Sequence, residues 1–345
     1  MVNTEVERSV IMEKEIKSRE LVRKAIHFEN PPLLPLQFRS DEDKSDIISI
    51  GYESPAGWEA VREGEDEWGC LWENICTGMG QVTEHPLEDL ENFSRYTFPD
   101  PHIESRFENA KEKIVRYSGR YLLGSLGGTG FNRMFFLRGF ENLLCDMYED
   151  EKRFSSLADS VLTFENGIIE KFSGMRLDGV MFFDDWGTED SLMINPGKWR
   201  QLFKPKYKEQ FSLVHQRGMD VFFHSCGYVW DIIPDLIEIG VDVLNLEQPL
   251  VFGTDEIDGI ERLAREFGGK VCFLTNADSQ RTLNRGSAPE VQEEVEKIVE
   301  VFGKFGGGLI GLADATADHG FTPPENIEAM TCAFEQYRAG AETGR

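Results

Sequence analysis

The sequence predicts an α/β fold, a single TIM-type (β/α)8 barrel, and three observations carry that expectation. From about residue 100 onward, short apolar runs alternate with helical patterns, and strand-helix alternation means a parallel sheet because parallel neighbours need a crossover. The runs are apolar throughout rather than every second residue, as in strands covered on both faces. No Gly-x-Gly-x-x-Gly follows a strand, so an open dinucleotide-binding sheet loses to a closed cylinder. The expected division is a helical extension over 1–30 and a barrel over 31–340, with long loops above the C-terminal ends of the strands.

Residues 11–27 read as a helix, with Leu21, Val22, Ala25 and Ile26 at helical spacing among charged residues. Asn30-Pro31-Pro32 stops it, because proline disfavours helical geometry in the residue before it. Leu33–Phe38 reads as the first strand. Residues 39–100 show little periodicity, and a segment that long is a functional loop or small subdomain rather than a plain connection. The later strands are Tyr121–Leu126, Val180–Asp184, Val221–His224, Val243–Leu246, Val271–Leu274 and Gly308–Leu312. An eighth is expected within 39–100 or around 140–165. Among the helices, 288–303 places Val291, Val295, Ile298, Val299 and Phe302 on one face.

With 345 residues, 40% of them hydrophobic and 25 of them Phe, the chain has ample material for a large core. It carries 62 acidic against 36 basic residues, a formal charge of −26. Such a surface repels phosphate backbones and argues against nucleic acid as a partner. No run reaches the roughly 18 apolar residues of a membrane helix, and the charged first twenty residues hold no apolar core of a secretory signal. Six irregularly spaced cysteines fit reduced thiols better than a disulfide framework. A cytoplasmic protein is the expectation.

In a barrel of this kind the site is built at the C-terminal ends of the strands, and four such ends carry chemistry. In Phe222-Phe223-His224-Ser225-Cys226-Gly227, side chains two apart point the same way. His224 and Cys226 then face the mouth together, as half of a zinc site or as a hydrogen-bonded histidine beside a buried thiol. In Phe182-Phe183-Asp184-Asp185-Trp186-Gly187, two carboxylates are available for orientation, acid–base work or bracing a metal ligand, unless one caps the next helix. Asp184 is the one expected to point inward, with Phe182 and Trp186. Glu247, just past Asn245-Leu246, is a candidate oxygen ligand or base, against a solvated loop carboxylate. Asp314 and His319 follow the last strand and are further ligand candidates, against an ordinary turn. Cys145, Cys272 and Cys332 read as small buried hydrophobes, and Cys70 and Cys76 are too far apart for a tight metal hook.

Asp185-Trp186-Gly187-Thr188, Ile194-Asn195-Pro196, Phe203-Lys204-Pro205-Lys206-Tyr207-Lys208, His224-Ser225-Cys226-Gly227, Gly240-Val241-Asp242-Val243-Leu244-Asn245 and Thr322-Pro323-Pro324-Glu325-Asn326-Ile327 together resemble the uroporphyrinogen-decarboxylase superfamily. The likeness runs from about residue 15 to 335. It implies a TIM-type barrel and one of two activities: porphyrinogen decarboxylation, or exchange of a methyl group with a corrinoid on a separate protein. The arginine-bearing Gln-Ala-Gly-Arg-like stretch of the decarboxylases is replaced by Pro35-Leu36-Gln37-Phe38-Arg39, and an acidic protein is a poor host for an octacarboxylate. His224 and Cys226 resemble the first two zinc ligands of the thiol-methylating members. The third, a cysteine in those enzymes, corresponds to Thr316, which leaves Glu247, Asp314 or His319 to complete a zinc site. The resemblance therefore implies a methyltransferase moving methyl between a small methylated substrate, an aryl methyl ether among the options, and the cobalamin of a partner corrinoid protein. Asp184, Asp185 and Glu247 are its expected acid–base residues, and Trp186, Phe222, Asn245 and Asp278 its expected substrate contacts. A decarboxylase of a smaller acid and a non-catalytic barrel that binds a corrinoid protein are the alternatives.

Overall fold

The computed structural model describes residues 17–76, 79–314 and 322–342. In chain order the first half contains α1 (Ser18–Ile26), β1 (Leu36–Gln37), β2 (Ile47–Ile50), β3 (Leu71–Cys76), β4 (Met79–Glu84), α2 (Glu108–Arg116), β5 (Tyr121–Gly128), α3 (Gly130–Arg138), α4 (Phe140–Glu149) and α5 (Glu151–Gly174). Then come β6 (Gly179–Phe183), α6 (Pro196–Leu202), α7 (Lys204–Gln216), β7 (Asp220–His224), α8 (Ile233–Glu238), β8 (Val243–Leu246) and α9 (Gly259–Phe267). The chain finishes with β9 (Cys272–Thr275), α10 (Thr282–Arg285), α11 (Ala288–Phe302), β10 (Leu309–Leu312) and α12 (Pro324–Glu342).

Eight strands form one sheet in the order β1-β10-β9-β8-β7-β6-β5-β2, and every paired neighbour is parallel. This is the expected barrel, and its eighth strand is β2, inside 39–100; the other region named for it, 140–165, is helical. β1 and β2 meet without a regular ladder. Asp46 N–H donates to Leu36 O at 2.9 Å, and the Asp46 carboxylate accepts from Leu36 N–H at 3.0 Å and from Ser18 Oγ at 2.6 Å. The antiparallel pair β3–β4 belongs to the excursion between β2 and α2.

Side-chain alternation sorts each strand into two cores. Ile47, Tyr121, Leu123, Met181, Phe222, Val243, Cys272, Leu274, Ile310 and Leu312 pack together inside the cylinder. Ile48, Leu122, Val180, Phe182, Val221, Phe223, Leu244 and Phe273 face the helices. Val22, Ala25 and Ile26 of α1 join the inner set, so the amphipathic N-terminal helix closes the bottom of the barrel. Arg19 reaches Asp178 at 2.9 Å and His27 reaches Asp220 at 3.1 Å, fixing that plug to the strand starts. Among the described residues, no helix is long and apolar enough to cross a membrane.

Two cysteines depart from the expectation. Cys145 and Cys332 lie on helices as read, but both are exposed, on faces turned from the core. Cys70 and Cys272 are buried, and the Cys70 thiol sits 3.3 Å from Phe136 O, a packing role.

Candidate functional site

The inner rows of side chains end at the mouth in polar groups. On β7 the inward series continues from Phe222 to His224, on β8 from Val243 to Asn245 and on β6 from Met181 to Phe183. Phe183, His224 and Asn245 share one register row across β6, β7 and β8. The Phe183 ring leans on the imidazole, with centroids 5.4 Å apart.

His224 is held in a defined state. Its Nδ1 lies 2.9 Å from Asn245 Oδ1, while the Asn245 amide donates to Leu274 O at 2.9 Å. That second bond turns the amide oxygen toward the ring, so Nδ1 carries the proton and the Nε2 lone pair is left for another partner. Nε2 faces Cys226 Sγ at 3.4 Å and Asp185 Oδ1 at 3.5 Å. Asp185 is itself positioned by Cys226 N–H at 2.9 Å and by a reciprocal pair with the Asn132 side chain, both contacts 3.2 Å. Burial, reinforced by the Asp185 and Glu247 carboxylates, pushes the Cys226 thiol well above its ordinary pKa. A proton or a cation therefore has to accompany this cluster.

The donor set fits a metal ion. One atom each from Asp185, His224 and Cys226 lies within 4.8 Å of the others. Tetrahedral zinc, with bonds of about 2.0–2.3 Å, sets its ligand atoms about 3.3–3.6 Å apart. The two Nε2 distances already match that spacing. Close approach of the loops after β6 and β7 keeps Cys226 in place: Gly187 N–H donates to Cys226 O at 3.1 Å and Tyr228 N–H to Thr188 O at 2.8 Å. At Gly187 or at Gly227 (φ +73°) a Cβ would overlap the opposite backbone, so only glycine permits the contact.

Several expected site residues sit elsewhere. Asp184 does share a direction with Phe182 and Trp186, but that direction is outward. Its carboxylate accepts from Phe131 N–H at 3.0 Å and Asn132 N–H at 2.8 Å and from Tyr207 Oη, capping α3. Burial pushes its pKa well up. Asp185 is the inward member of the pair. Trp186 is fully buried, stacked on Phe131 with centroids 4.4 Å apart and packed against Phe203, so it contacts core rather than substrate. Phe222 lies fully buried below His224, with its ring 5.8 Å from Tyr121. Asp278 is buried and accepts from Leu250, Gln280 and Arg281 N–H, which pins loops.

The ligand candidates beyond the His-x-Cys pair also have other work. Glu247 is bound by Arg39 at 2.6 Å and lies 3.9 Å from Nδ1, the side of the imidazole away from Cys226. Asp314 accepts from Arg39 N–H at 2.6 Å, Ser40 N–H at 2.7 Å and Ser40 Oγ at 2.5 Å, which leaves it capping the segment after β1. His319 and Thr316 lie outside the described residues. Asn132, Phe183 and Gln248, whose Oε1 accepts from Gly227 N–H at 2.7 Å, belong to the cluster without any motif that marks them in sequence.

At the ends of β2 and β5 lies a separate cavity of about 290 Å³, lined by the carboxylates Glu53, Asp66 and Glu67 together with Tyr52, Trp68 and Arg133 among others. α3 connects the two places, since Asn132 touches Asp185 and Arg133 lines the cavity.

A solved protein shows the same architecture, and relatives share part of the sequence. The solved "methyltransferase from Methanosarcina mazei" superposes with a TM-score of 0.66 over 94% of this chain and 99% of that one, at 15% identity, a likeness of fold. A uroporphyrinogen decarboxylase of Shewanella amazonensis is 24% identical over 280 residues, 75% of this chain and 72% of its own. A methylcobamide:CoM methyltransferase (MtaA) of Methanosarcina barkeri is 23% identical over 194 residues, 56% of this chain and 50% of its own. The family model for uroporphyrinogen decarboxylase (URO-D) matches residues 74–337. With most of its length inside that match, the chain belongs to the uroporphyrinogen decarboxylase family.

Proposed function

We propose that this protein is a methyltransferase that moves a methyl group from a small methylated substrate, such as an aryl methyl ether, to the cobalt of a corrinoid carried by a partner protein. One observation carries the reading: His224 Nε2, Cys226 Sγ and Asp185 Oδ1 converge at metal-ligand spacing at the open end of the barrel. Bound there, zinc would supply a Lewis acid for the departing heteroatom. A set with one thiolate, one imidazole and one carboxylate donates less charge than a thiolate-rich set, which favours polarising a leaving oxygen over holding a thiolate nucleophile.

The chain's own residues divide the remaining work. Asn245 fixes the imidazole tautomer, and Asn132 holds Asp185 against the backbone of Cys226. The barrel mouth aligns the methyl carbon between its oxygen and the incoming cobalt, and such alignment is worth several kcal/mol of the barrier. In the transfer the C–O bond breaks with its electron pair going to oxygen, the new bond to carbon uses the cobalt(I) pair, and the oxygen leaves to be protonated by solvent or a mouth residue.

The test combines metal analysis with a transfer screen. Purified protein is expected to hold about one zinc. With cobalt(I) cobalamin and methoxylated aromatics or methylamines it should give the methylcobalamin spectrum, and His224→Ala or Cys226→Ser should lower the rate at least about a hundredfold. Full activity in metal-free protein would remove the Lewis-acid part. Release of carbon dioxide from a small acid with no cobalamin present would favour the second reading, a decarboxylase, which the longer alignment with the Shewanella enzyme supports. Against that reading stands the first strand end, where Arg39 is tied to Glu247.

A further inference from the structure

We infer that Arg133 anchors a carboxylate of the substrate in the cavity at the ends of β2 and β5, which α3 links to the metal-ligand cluster through Asn132; the inference rests on the reading of the mouth as a substrate site. The Arg133 side chain is 11% exposed. Its guanidinium lies over Trp68 at 4.6 Å and near Phe136 at 5.8 Å. Its closest charge is Asp66, at 3.7 Å, beyond hydrogen-bond reach. Among the described residues no acceptor hydrogen-bonds its side chain, although a guanidinium offers five N–H donors.

The carboxylates Glu53, Asp66 and Glu67 also line this cavity, and each has a hydrogen-bond partner other than Arg133, Asp66 in addition to its ion pair with Arg133. Asp66 Oδ1 accepts from Trp68 N–H at 3.0 Å and Cys70 N–H at 2.9 Å, and Oδ2 accepts from Trp72 Nε1 at 2.9 Å. Glu67 is clamped by both ends of the buried Arg106 fork, at 2.7 and 2.6 Å. Glu53 accepts from Asn109 at 2.7 Å. The guanidinium, held by Asp66 only at ion-pair distance, opens onto a cavity of about 290 Å³ with its N–H donors not taken by acceptors among the described residues. The planar fork matches a carboxylate in two parallel hydrogen bonds.

Room for the rest of the ligand comes from missing side chains. A Cβ built at Gly51 or Gly127 would meet nothing within 4 Å. Ser125 adds a small polar wall, and the Tyr52 hydroxyl, already donating to Leu126 O at 3.2 Å, stays neutral because burial pushes its pKa up to about 12. From this pocket a small flat acid would extend along α3 toward Asp185. The substrate class is therefore a methylated molecule that also carries a carboxylate.

The experiment titrates the purified protein with benzoate and with its neutral isostere benzamide, reading Trp fluorescence or calorimetric heat, with no cobalamin present. Benzoate is expected to bind at least about tenfold more tightly than benzamide, the range of a charge-assisted pair. Arg133→Gln should remove that preference, and Arg133→Lys should retain part of it. Gly51→Leu should weaken both ligands at least about tenfold by filling the cavity, at unchanged melting temperature. Equal binding of the two ligands by the native protein, or no binding of benzoate, overturns the inference whether or not any variant folds. Selective benzoate binding in a protein that transfers no methyl would leave the carboxylate subsite standing and sink the methyltransferase reading alone.

Discussion

At the scale of single residues, the cluster depends on a side chain that is not itself one of the proposed metal ligands. Asn245 sets the His224 tautomer by accepting from Nδ1, and its own amide is fixed by Leu274 O. Asn245→Ala is expected to weaken zinc binding about 10- to 100-fold, as loss of an outer partner of a histidine ligand does. Competition with a chromophoric chelator measures it, and unchanged affinity would mean the imidazole is oriented by packing alone. The His-x-Cys pair was legible because a two-residue spacing on a strand end puts both side chains on one face. The choice between Asp184 and Asp185 was not. Alternation gave the parity, grouping Asp184 with Phe182 and Trp186, but the sign, inward or outward, depends on which face the helices cover. Both faces of a barrel strand are apolar, so the pattern is silent about that. Asn132 was equally hidden, because its partner Asp185 is 53 residues away.

At the scale of elements, the start of α3 is the joint on which the site turns, and Glu165 of α5 braces it from below. Glu165 accepts from Gly130 N–H and from Gln210 of α7, both at 2.8 Å. Burial pushes its pKa up from the ordinary 4.5 to about 7. The sign follows from proton counting: the folded protein holds this proton more tightly than the unfolded chain. Its stabilising contribution is complete below about pH 4.5 and is lost as pH rises through about 7, a change of about 3 kcal/mol at 1.36 kcal/mol per unit. Denaturant unfolding from pH 4.5 to 8 should show Glu165→Gln with a shallower fall in stability than the native protein, and parallel curves would rule the group out. Element boundaries were legible where an apolar run alternates with a clear helical pattern on either side, as in β5 through β10. β2 escaped because four residues flanked by Asp, Ser and Gly look like part of a loop, and it exists through pairing with β5, from Ile47 opposite Tyr121 to Ile50 opposite Gly124.

At the scale of the whole molecule, a charge of −26 sets a field in which these local arrangements operate. A negative surface concentrates divalent cations and disfavours anionic ligands, so the two proposed sites stand in opposite relation to it. The Asp185, His224 and Cys226 cluster works with the field, whereas an anion near Arg133 has to be held by local hydrogen bonds against it. The same charge strains the folded state by self-repulsion. At 0.01 M salt the Debye length of about 30 Å exceeds the radius of roughly 20 Å for a chain of this length, so most charges act on one another. At 0.5 M that repulsion is screened, while surface pairs such as Arg116–Asp43 and Arg217–Glu170 lose little because each is worth little. The melting temperature is therefore expected to rise by about 2–5 °C between 0.01 and 0.5 M sodium chloride. A fall over that range would mean that attractive pairs outweigh the repulsion. The benzoate titration supplies the complementary reading: salt should strengthen binding by relieving the overall repulsion until the ion concentration is high enough to screen the Arg133 contact itself, whereas a ligand recognised only by its ring would show no such optimum.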